Sequence, residues 1–406
     1  MRKDILLIAH FCSDFDEKGN NRFNYLAEIF AENGFDVELV TSNFSHNKKT
    51  KREKEILETL NYKVTFIKEP TYKKNVSLKR FYSHYTMAKN LKKYLNSRKK
   101  PNLIYCSVPS LDVAATATRY AEKNDIKLII DIQDLWPEAF QMVFNVPILS
   151  NILFSPMKRK ADCIYESADE IIAVSETYKN RALEVNRKVK DGKVVFLGTE
   201  LSKFDEAFNN NKCQEKPDNE IWIAYVGTLG HSYDLISVFD ALGMLKKKGH
   251  KNLKFIVMGD GPLKEKFQSY AKSMKIDTLF TGRLPYQEMV GLLGVCDIAV
   301  NAIAAGSAGT IINKVGDYAA AGLPVVNTQE SLEYRNLLDE YESGLNCKTQ
   351  NSKDLADKLN YLLNDSVSRK VMSKKSRTLA EDRFDREKTY PEIIELIKEM
   401  LTDNNY

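Results

Sequence analysis

The sequence predicts an α/β fold of two doubly wound domains, and three observations lead to this prediction. The chain has 406 residues, more than one hydrophobic core usually organises. Short apolar segments alternate with amphipathic helical segments along its length, which is typical of parallel sheets with right-handed crossovers. A polar stretch at 209–219, rich in Asn, Lys and Glu, interrupts the alternation and predicts an interdomain linker.

Short apolar segments bounded by turn residues predict the strands of both domains. In the first half they are 5–9, 37–40, 64–67, 103–106, 128–132, 171–174 and 194–196. In the second half they are 221–226, 255–258, 279–281, 298–301, 325–327 and 344–347. Each series suffices for a doubly wound sheet, so we predict an N-terminal domain at 1–205 and a C-terminal domain at 206–382.

The remaining residues, 383–406, predict a C-terminal helix. Its apolar residues recur at helical spacing, so the helix has one face to bury. They are Ile393, Ile394, Ile397, Met400 and Leu401. We expect this helix to pack back on the N-terminal domain, with simple capping of the C-terminal domain as the alternative.

Composition is that of an ordinary globular enzyme, with 43% hydrophobic and 28% charged residues. No apolar run approaches the roughly 20 residues that span a bilayer. The first apolar segment is too short for a signal peptide and predicts a strand, so a cytoplasmic protein is expected. The six cysteines and five histidines are scattered without the spacing of a zinc site, and we expect no bound metal and no cofactor.

The most informative segment is 306–326, where a glycine-rich loop leads into a short helix and then an apolar strand. Lys314 and Asp317 are three residues apart and therefore share one helix face. Backbone N–H groups at Gly309 and Thr310 would point from the helix N-terminus towards a phosphate. A cation, free amides and a carboxylate in this order predict a site for a diphosphate and a ribose.

Residues 313–326 resemble the signature helix of family 4 retaining glycosyltransferases, in which two acids stand eight residues apart. Asp317 takes the place of the second acid, which holds the ribose in that family. Gly309 stands where the first acid touches the transferred sugar. The resemblance implies the GT-B architecture, two Rossmann-like domains facing a cleft. Because the first acid is absent, the resemblance implies nucleotide binding more strongly than it implies the identity of the transferred sugar or catalytic activity.

Three further segments of the second half resemble elements of the same family, in the same order. Segment 222–230 resembles its opening Tyr-x-Gly element and places Gly227 and Thr228 at the donor phosphates. Segments 257–263 and 280–285 resemble its Gly-x-Gly-Pro turn and its nucleobase loop. Tight strand-to-helix geometry is the alternative explanation for these glycine turns.

The nucleobase loop contributes two further expected donor residues, Arg283 and Leu284. The guanidinium of Arg283 suits phosphate oxygens, although a plain surface arginine is the alternative. We expect Arg283 and Lys314 to act as catalytic cations that stabilise the departing diphosphate.

The first half is expected to hold the acceptor. Gly19 and Asn20 precede a helical segment and resemble the family's first glycine loop. The segment 131–138 resembles the Asp-x-x-Asp-Leu-Trp-Pro-Glu run of a branch that builds bacterial surface polysaccharides, capsule and O-antigen among them. His46 lies in a loop that resembles that branch's Ser-x-Phe-x-His loop and is an expected acceptor contact.

Within 131–138 we expect Asp134 to be the catalytic acid near the anomeric centre, and Trp136 and Glu138 to bind the acceptor. Hydroxyls need acceptors, and a sugar's apolar face stacks on an aromatic ring. Helix capping is the alternative for Glu138. Asp131 is expected to fix the loop through backbone amides. His84, on an apolar helix face, is expected to be a core histidine.

The net charge is only +5, but basic residues are concentrated in one region. Between Pro70 and Leu111 there are ten Lys or Arg residues and no acid. This asymmetry implies an anionic partner. No nucleic-acid-binding motif accompanies it, so an anionic membrane surface is favoured over nucleic acid. The apolar segment 146–157, followed by basic residues 158–160, predicts an interfacial segment, with ordinary packing as the alternative.

Together these features predict a metal-independent retaining glycosyltransferase, hexosyl- or N-acetylhexosaminyl-, at the inner membrane face. We expect a UDP-sugar donor, with an N-acetylated or deoxy-amino sugar as one option, and a lipid-linked or oligosaccharide acceptor in surface polysaccharide synthesis. One alternative is a nucleotide-sugar epimerase of GT-B shape. The other is a non-catalytic glycosyltransferase subunit, which the glycine at position 309 would suit.

Overall fold

The computed structural model divides the chain into two compact units. One unit comprises residues 1–196 with 390–406, and the other comprises 197–389. The residues described are 2–15, 21–52, 60–74, 77–141, 147–213, 216–307 and 311–402, of which 140, 141 and 147–152 are described by their backbone only.

The first unit is built on a seven-stranded sheet. The strands described in the unit, the seven of this sheet and two of a separate hairpin, are β1 (Asp4–Ile8), β2 (Asp36–Ser42), β3 (Phe44–Ser45), β4 (Thr50–Lys51), β5 (Lys63–Ile67), β6 (Leu103–Val108), β7 (Lys127–Ile132), β8 (Glu170–Ala173) and β9 (Lys193–Val194). The sheet order is β5-β2-β1-β6-β7-β8-β9, with parallel pairing, and β3 pairs with β4 as a separate antiparallel hairpin. The interior strand β1 is buried from Ile5 to Ile8, as expected for a parallel strand covered on both faces.

Seven helices belong to the described part of this unit. They are α1 (Arg22–Glu32), α2 (Leu78–Ser97), α3 (Leu111–Asn124), α4 (Glu138–Gln141), α5 (Pro147–Ser167), α6 (Glu176–Leu183) and α16 (Pro391–Thr402). The C-terminal helix α16 buries Ile393 and Ile397 in the same core cluster as Ile5 and Leu7 of β1. The expected packing of the C-terminal helix on the N-terminal domain is therefore observed.

The second unit has a six-stranded sheet. Its strands are β10 (Ile221–Val226), β11 (Leu253–Met258), β12 (Thr278–Gly282), β13 (Ile298–Asn301), β14 (Val325–Asn327) and β15 (Gly344–Asn346). Every pairing in the order β12-β11-β10-β13-β14-β15 is parallel. Each strand predicted from the sequence has its counterpart in one of the two sheets.

The helices described in the second unit connect and cover these strands. They are α7 (Leu201–Asn211), α8 (Leu235–Lys247), α9 (Lys264–Ser273), α10 (Tyr286–Leu293), α11 (Asn313–Ala320), α12 (Leu332–Glu340), α13 (Ser352–Asn364), α14 (Ser366–Leu379) and α15 (Arg386–Thr389), with a π-helical turn at Ala380–Phe384. None of the helices in the described part of the chain is both long and apolar enough to span a bilayer.

The units divide at 196/197, earlier than the linker at 209–219 that the polar composition predicts. The physical reason is the docking of α7 on α10. A Cβ at Gly291 would lie 1.9 Å from the backbone oxygen of Asn211, and one at Gly294 would lie 2.4 Å from the Phe208 ring. Gly291 on α10 and Gly294 just after it let α7 approach closely, so α7 belongs to the second unit. At the other end the first unit resumes at Tyr390, against a predicted boundary at 383.

Candidate functional site

In the second unit, the carboxyl ends of β10, β11 and β12 meet at three glycines. Gly227 and Gly259 have φ values of +140° and +156°, and Gly259 forms a bridge with Gly282. A Cβ at Gly259 would lie 1.8 Å from the backbone oxygen of Gly227. No other residue type permits this approach, so these turns bring two strand ends together at the sheet edge where doubly wound proteins bind ligands.

Lys314, in the first turn of α11, points its ammonium group at this edge. Its Nζ lies 4.1 Å from the centroid of the Tyr225 ring and 4.4 Å from that of Tyr233. The side chain is buried, and Nζ has no hydrogen-bond partner among the described residues. Nζ is also 3.4 Å from the Cβ position of Gly227. Burial lowers the pKa of Lys314 to about 7.

Packing of α11 explains this position. From Lys314 to Ala320 every residue of the helix is buried. The hydroxyl of Tyr318 accepts a hydrogen bond of 2.8 Å from the backbone N–H of Val226, which ties the helix to the last residue of β10. The lysine is therefore held beside the β10 turn by the helix that carries it.

Asp317 lies one helical turn further along α11 and is also buried. Its Oδ1 accepts hydrogen bonds from the hydroxyls of Tyr286, at 2.9 Å, and Thr199, at 3.2 Å. Burial raises the pKa of the Asp317 carboxyl to about 6, although these two bonds and the Arg386 charge oppose the shift. Oδ2 accepts no hydrogen bond from the residues the structure describes, so it is the atom left for a ligand hydroxyl.

The other predicted donor residues lie nearby along the chain. Thr228 is exposed, and its carbonyl accepts from the Tyr225 hydroxyl at 2.8 Å. Arg283, exposed, and Leu284, half-buried, directly follow Gly282. Gly309 and Thr310 lie outside the described residues. The structure thus brings Lys314 to Gly227, and it places Thr228, Arg283 and Leu284 on the loops that leave β10 and β12.

In the first unit, aromatic and imidazole rings gather near the carboxyl ends of β1 and β2. His84 stacks on Trp136 with centroids 5.8 Å apart, and His10 meets His84 edge-on at 4.8 Å. Phe11 lies 4.9 Å from His46. We call these five residues the ring cluster. His84 is buried as expected, but its neighbours include rings expected to touch the acceptor.

Both predicted histidines of the ring cluster are uncharged near neutral pH. Burial first, then the charges of Lys49 and Arg80, lowers the pKa of His46 to about 3. Burial first, then the neighbouring His10 and Arg80, lowers the pKa of His84 to about 2. The Nδ1 of His46 is hydrogen-bonded to the Tyr72 hydroxyl. These imidazoles can donate or accept hydrogen bonds without adding charge.

Asp134 is half-buried beside the ring cluster. Its Oδ2 accepts from the indole N–H of Trp136 at 3.2 Å, and its Oδ1 from the Tyr178 hydroxyl at 3.4 Å. Burial raises the pKa of Asp134. Glu138 instead accepts a hydrogen bond of 2.7 Å from Arg181 at its Oε1, so the structure gives it an ion pair in the protein. Gly19 and Asn20 lie outside the described residues.

The expectation that Asp131 binds backbone amides is wrong. Its carboxylate accepts hydrogen bonds from the side chains of Arg22, at 2.8 and 3.2 Å, and Tyr105, at 2.7 Å. Asp131 is fully buried, and a guanidinium neutralises it more completely than amide groups would. The residue therefore belongs to the core of the first unit.

Residues 207–379 match the family model for glycosyl transferases group 1. The matched segment lies within the second unit, 197–389. Gly227, Lys314 and Asp317 all lie within it, and so do Arg283 and the glycine turns of β10 to β12.

A curated relative and two solved structures extend the likeness beyond the matched segment. An uncharacterised glycosyltransferase of Methanocaldococcus jannaschii, MJ1069, is 21% identical over 239 residues, which are 59% of this chain. The match spans 60% of that relative's length. Sucrose-phosphate synthase of Thermosynechococcus elongatus is 15% identical with a TM-score of 0.73, over 99% of this chain and 100% of that one. HepE of Anabaena, in complex with UDP, is 14% identical with a TM-score of 0.72, over 98% and 100%. The predicted GT-B fold is confirmed.

Several residues around Lys314 and Asp317 were not predicted. Tyr225 and Tyr233 form the ring walls around Lys314, and Tyr286 donates to Asp317. In the first unit, His10 bonds Glu69 at 3.1 Å through Nε2 and Ser110 at 2.8 Å through Nδ1. The only sequence signal for them was their place at the ends of predicted strands or the starts of helices, where loops meet the sheet edge.

Proposed function

We propose that the chain is a retaining glycosyltransferase that uses a nucleoside diphosphate sugar, with UDP as the nucleotide. The observation that carries the proposal is the Lys314 ammonium, buried beside Gly227 without a hydrogen-bond partner among the described residues. A buried cation in that position is stabilised by an anion that enters between the strand ends. A diphosphate is such an anion, and HepE, which shares the fold, was solved with UDP.

The donor would be bound through distinct parts of the domain. Lys314 and Arg283 compensate the diphosphate charge, together with the backbone of Gly227, Thr228, Gly309 and Thr310. The Oδ2 of Asp317 accepts from the ribose hydroxyls, because Oδ1 is already occupied by Tyr286 and Thr199. Leu284, after β12, borders the base.

The reaction we propose is attack by an acceptor hydroxyl on the anomeric carbon from the face that the diphosphate leaves. Charge develops on the leaving diphosphate, and Lys314 with Arg283 stabilises it, so we expect turnover without added metal. In the first unit, burial raises the pKa of the Asp134 carboxyl, which suits it to accept the proton that the acceptor hydroxyl loses as its oxygen bonds the anomeric carbon and the bond to the diphosphate breaks.

The acceptor we propose is a lipid-linked or oligosaccharide chain of a surface polysaccharide. Trp136 offers the apolar ring face that sugars stack on, and His46 and Glu138 would supply polar contacts at the edge of the ring cluster. We expect the transferred group to be a hexose or an N-acetylated hexosamine.

Purified protein incubated with a panel of UDP-, GDP- and dTDP-sugars, with and without a membrane lipid extract, tests this proposal. Free UDP that appears only when the acceptor extract is present is the expected result. The anomeric configuration of the product, read from NMR coupling constants, tests retention. Lys314→Ala should suppress turnover, whereas Lys247→Ala, at an exposed position of α8, should not.

Two other outcomes would replace the proposal. A changed sugar without acceptor identifies an epimerase. UDP-sugar binding without any turnover on the whole panel identifies a non-catalytic subunit, which the glycine at position 309 favours because no Asp or Glu stands between Asp297 and Asp317.

A further inference from the structure

The outer face of α2 exposes large apolar side chains at helical spacing. Leu78, Phe81, Tyr82 and Tyr85 are 87%, 40%, 62% and 59% exposed. Their spacing of three and four residues places them on one side of the first two turns. The opposite side of the helix, with His84, Met87 and Leu91, is buried in the first unit. Four exposed large side chains in one patch exceed what scattered surface residues produce.

Lysines continue the same face towards the end of the helix. Lys89, Lys92 and Lys93 are exposed, and the chain from Pro70 to Leu111 contains no acid that would neutralise them. We call the four apolar residues and these three lysines the α2 face. Its first half is rich in tyrosine and phenylalanine, and its second half carries only positive charge.

We propose that the α2 face docks on an anionic lipid bilayer. Tyrosine and phenylalanine suit the boundary between headgroups and acyl chains, because their rings are apolar and the tyrosine hydroxyl stays in water. The lysines then reach anionic headgroups, and the absence of acids between 70 and 111 means that no charge on this segment repels the surface. A protein partner would need an apolar surface for the first half of the α2 face and an acidic surface for the second half. An anionic bilayer has both, an apolar interior and negatively charged headgroups.

The second segment predicted to lie at an interface, 146–157, adds little to this argument. Residues 142–146 lie outside the described part of the chain, and Leu153 is exposed. Lys160 behind it is engaged in an ion pair with Asp112 of α3. Docking is therefore assigned to α2 alone. It does not rest on the proposed enzymatic function, because vesicle binding is measured without any donor or acceptor.

Flotation of the full chain with vesicles tests the proposal. One set is phosphatidylcholine alone, and the other is an equimolar mixture of phosphatidylcholine and phosphatidylglycerol. We expect binding to the anionic vesicles only, weakened by salt. The triple variant Lys89→Gln, Lys92→Gln, Lys93→Gln should bind at least roughly tenfold more weakly. Its matched control is Lys247→Gln, Lys266→Gln, Lys272→Gln, with the same charge change at exposed positions of the second unit.

A second variant removes the most exposed apolar side chains, Leu78→Ser, Tyr82→Ser, Tyr85→Ser, and should also lose binding at least roughly tenfold while its thermal unfolding is unchanged. Separately, Tyr82→Trp should show fluorescence quenched by brominated lipid. Equal binding to both vesicle sets, or loss of binding no greater than in the control, overturns the proposal. So does self-association without lipid that the Leu78, Tyr82, Tyr85 variant abolishes, since a second copy would then cover the face.

Discussion

The ammonium of Lys314 lies 4.1 Å from the centroid of the Tyr225 ring, and no hydrogen-bond acceptor among the described residues reaches it. A desolvated cation over an aromatic ring gains about 2 kcal/mol. Removing an ion from water costs several kcal/mol, so the rings of Tyr225 and Tyr233 offset only part of the penalty. The part of the desolvation cost that the two rings do not offset lowers the pKa of Lys314 to about 7. An entering anion would reverse that shift.

Binding of UDP at about pH 8 should therefore be accompanied by proton uptake. The free protein holds Lys314 largely neutral at that pH, and the diphosphate favours its charged form. Calorimetric titrations in buffers of different ionisation enthalpy measure the number of protons, which should approach one. Near pH 5.5 the lysine is already charged and uptake through this group should vanish.

Lys314→Met is the matched variant, since it fills the same space without a charge. It should bind UDP more weakly and take up no proton at about pH 8. The free wild-type protein should also gain stability between about pH 7 and 10.5, because the unfolded chain binds this proton more tightly than the folded one. Proton uptake that persists in Lys314→Met would show that another group responds to UDP.

Asp317→Asn should raise stability and lower donor affinity. Burial raises the pKa of the carboxyl from 3.8 to about 6, so its contribution to stability is full below pH 3.8 and is lost as the pH rises through about 6. At pH 7 the variant should be more stable than the wild type by up to about 3 kcal/mol, and at pH 4 the two should converge. Asparagine can still accept from Tyr286 and Thr199.

Urea unfolding at both pH values measures the stability difference, and UDP titration measures the affinity. The substitution should raise the unfolding free energy and lower the UDP affinity, because the buried charge binds the ligand but destabilises the fold. Unchanged UDP affinity would remove Asp317 from the donor site, and equal stability at pH 7 would mean that burying its charge does not destabilise the fold.

Gly259→Ala should destabilise the second unit far more than Gly249→Ala. Both glycines have positive φ, +156° and +101°, so both substitutions carry backbone strain of about 1 kcal/mol. Only at Gly259 would the new Cβ meet a backbone atom, the oxygen of Gly227 at 1.8 Å, whereas nothing lies within 4 Å at Gly249. We expect a loss above about 3 kcal/mol for Gly259→Ala in thermal unfolding. A similar loss in both variants would mean that the close approach has no energetic weight.

The sequence was sufficient to predict features that depend on the pattern of neighbouring residues. Strands such as β1 and β10 are short apolar runs buried on both faces, and the spacing of Lys314 and Asp317 places both on one helix face. Contacts across long chain separations were not predictable. Tyr225 reaches Lys314 only because α11 is tied to β10, and one sequence gives no signal for that approach.

The position of the boundary between the two units was not predictable for a related reason. The residues 209–219 have the composition of a linker, but α7 packs closely on Gly291 of α10 and on Gly294 just after it, so α7 belongs to the second unit. A glycine on a helix predicts that another element packs closely there, but it does not identify that element. The pair of His10 and Glu69, 59 positions apart, was missed because it forms only when the ends of separate strands meet.

Arg22 should be essential to the stability of the first unit. Its buried guanidinium donates to Asp131 at 2.8 and 3.2 Å and to the Tyr390 hydroxyl at 2.9 Å, which joins α1, β7 and the C-terminal segment. The Asp131 charge holds the pKa of Arg22 well above its usual range despite burial. Arg22→Met leaves the Asp131 charge buried without this partner, and we expect a loss of about 3 to 5 kcal/mol in unfolding free energy.

The double variant Arg22→Met, Asp131→Asn separates a buried unpaired charge from lost packing. It should recover a large part of the stability, because no charge then remains in the core. Arg187→Met, at an exposed position, is the control and should change stability by less than about 0.5 kcal/mol. Limited proteolysis should release the C-terminal segment faster in Arg22→Met, since Tyr390 loses the donor that anchors it. A double variant no more stable than Arg22→Met would mean that the guanidinium acts by filling space and not by neutralising Asp131.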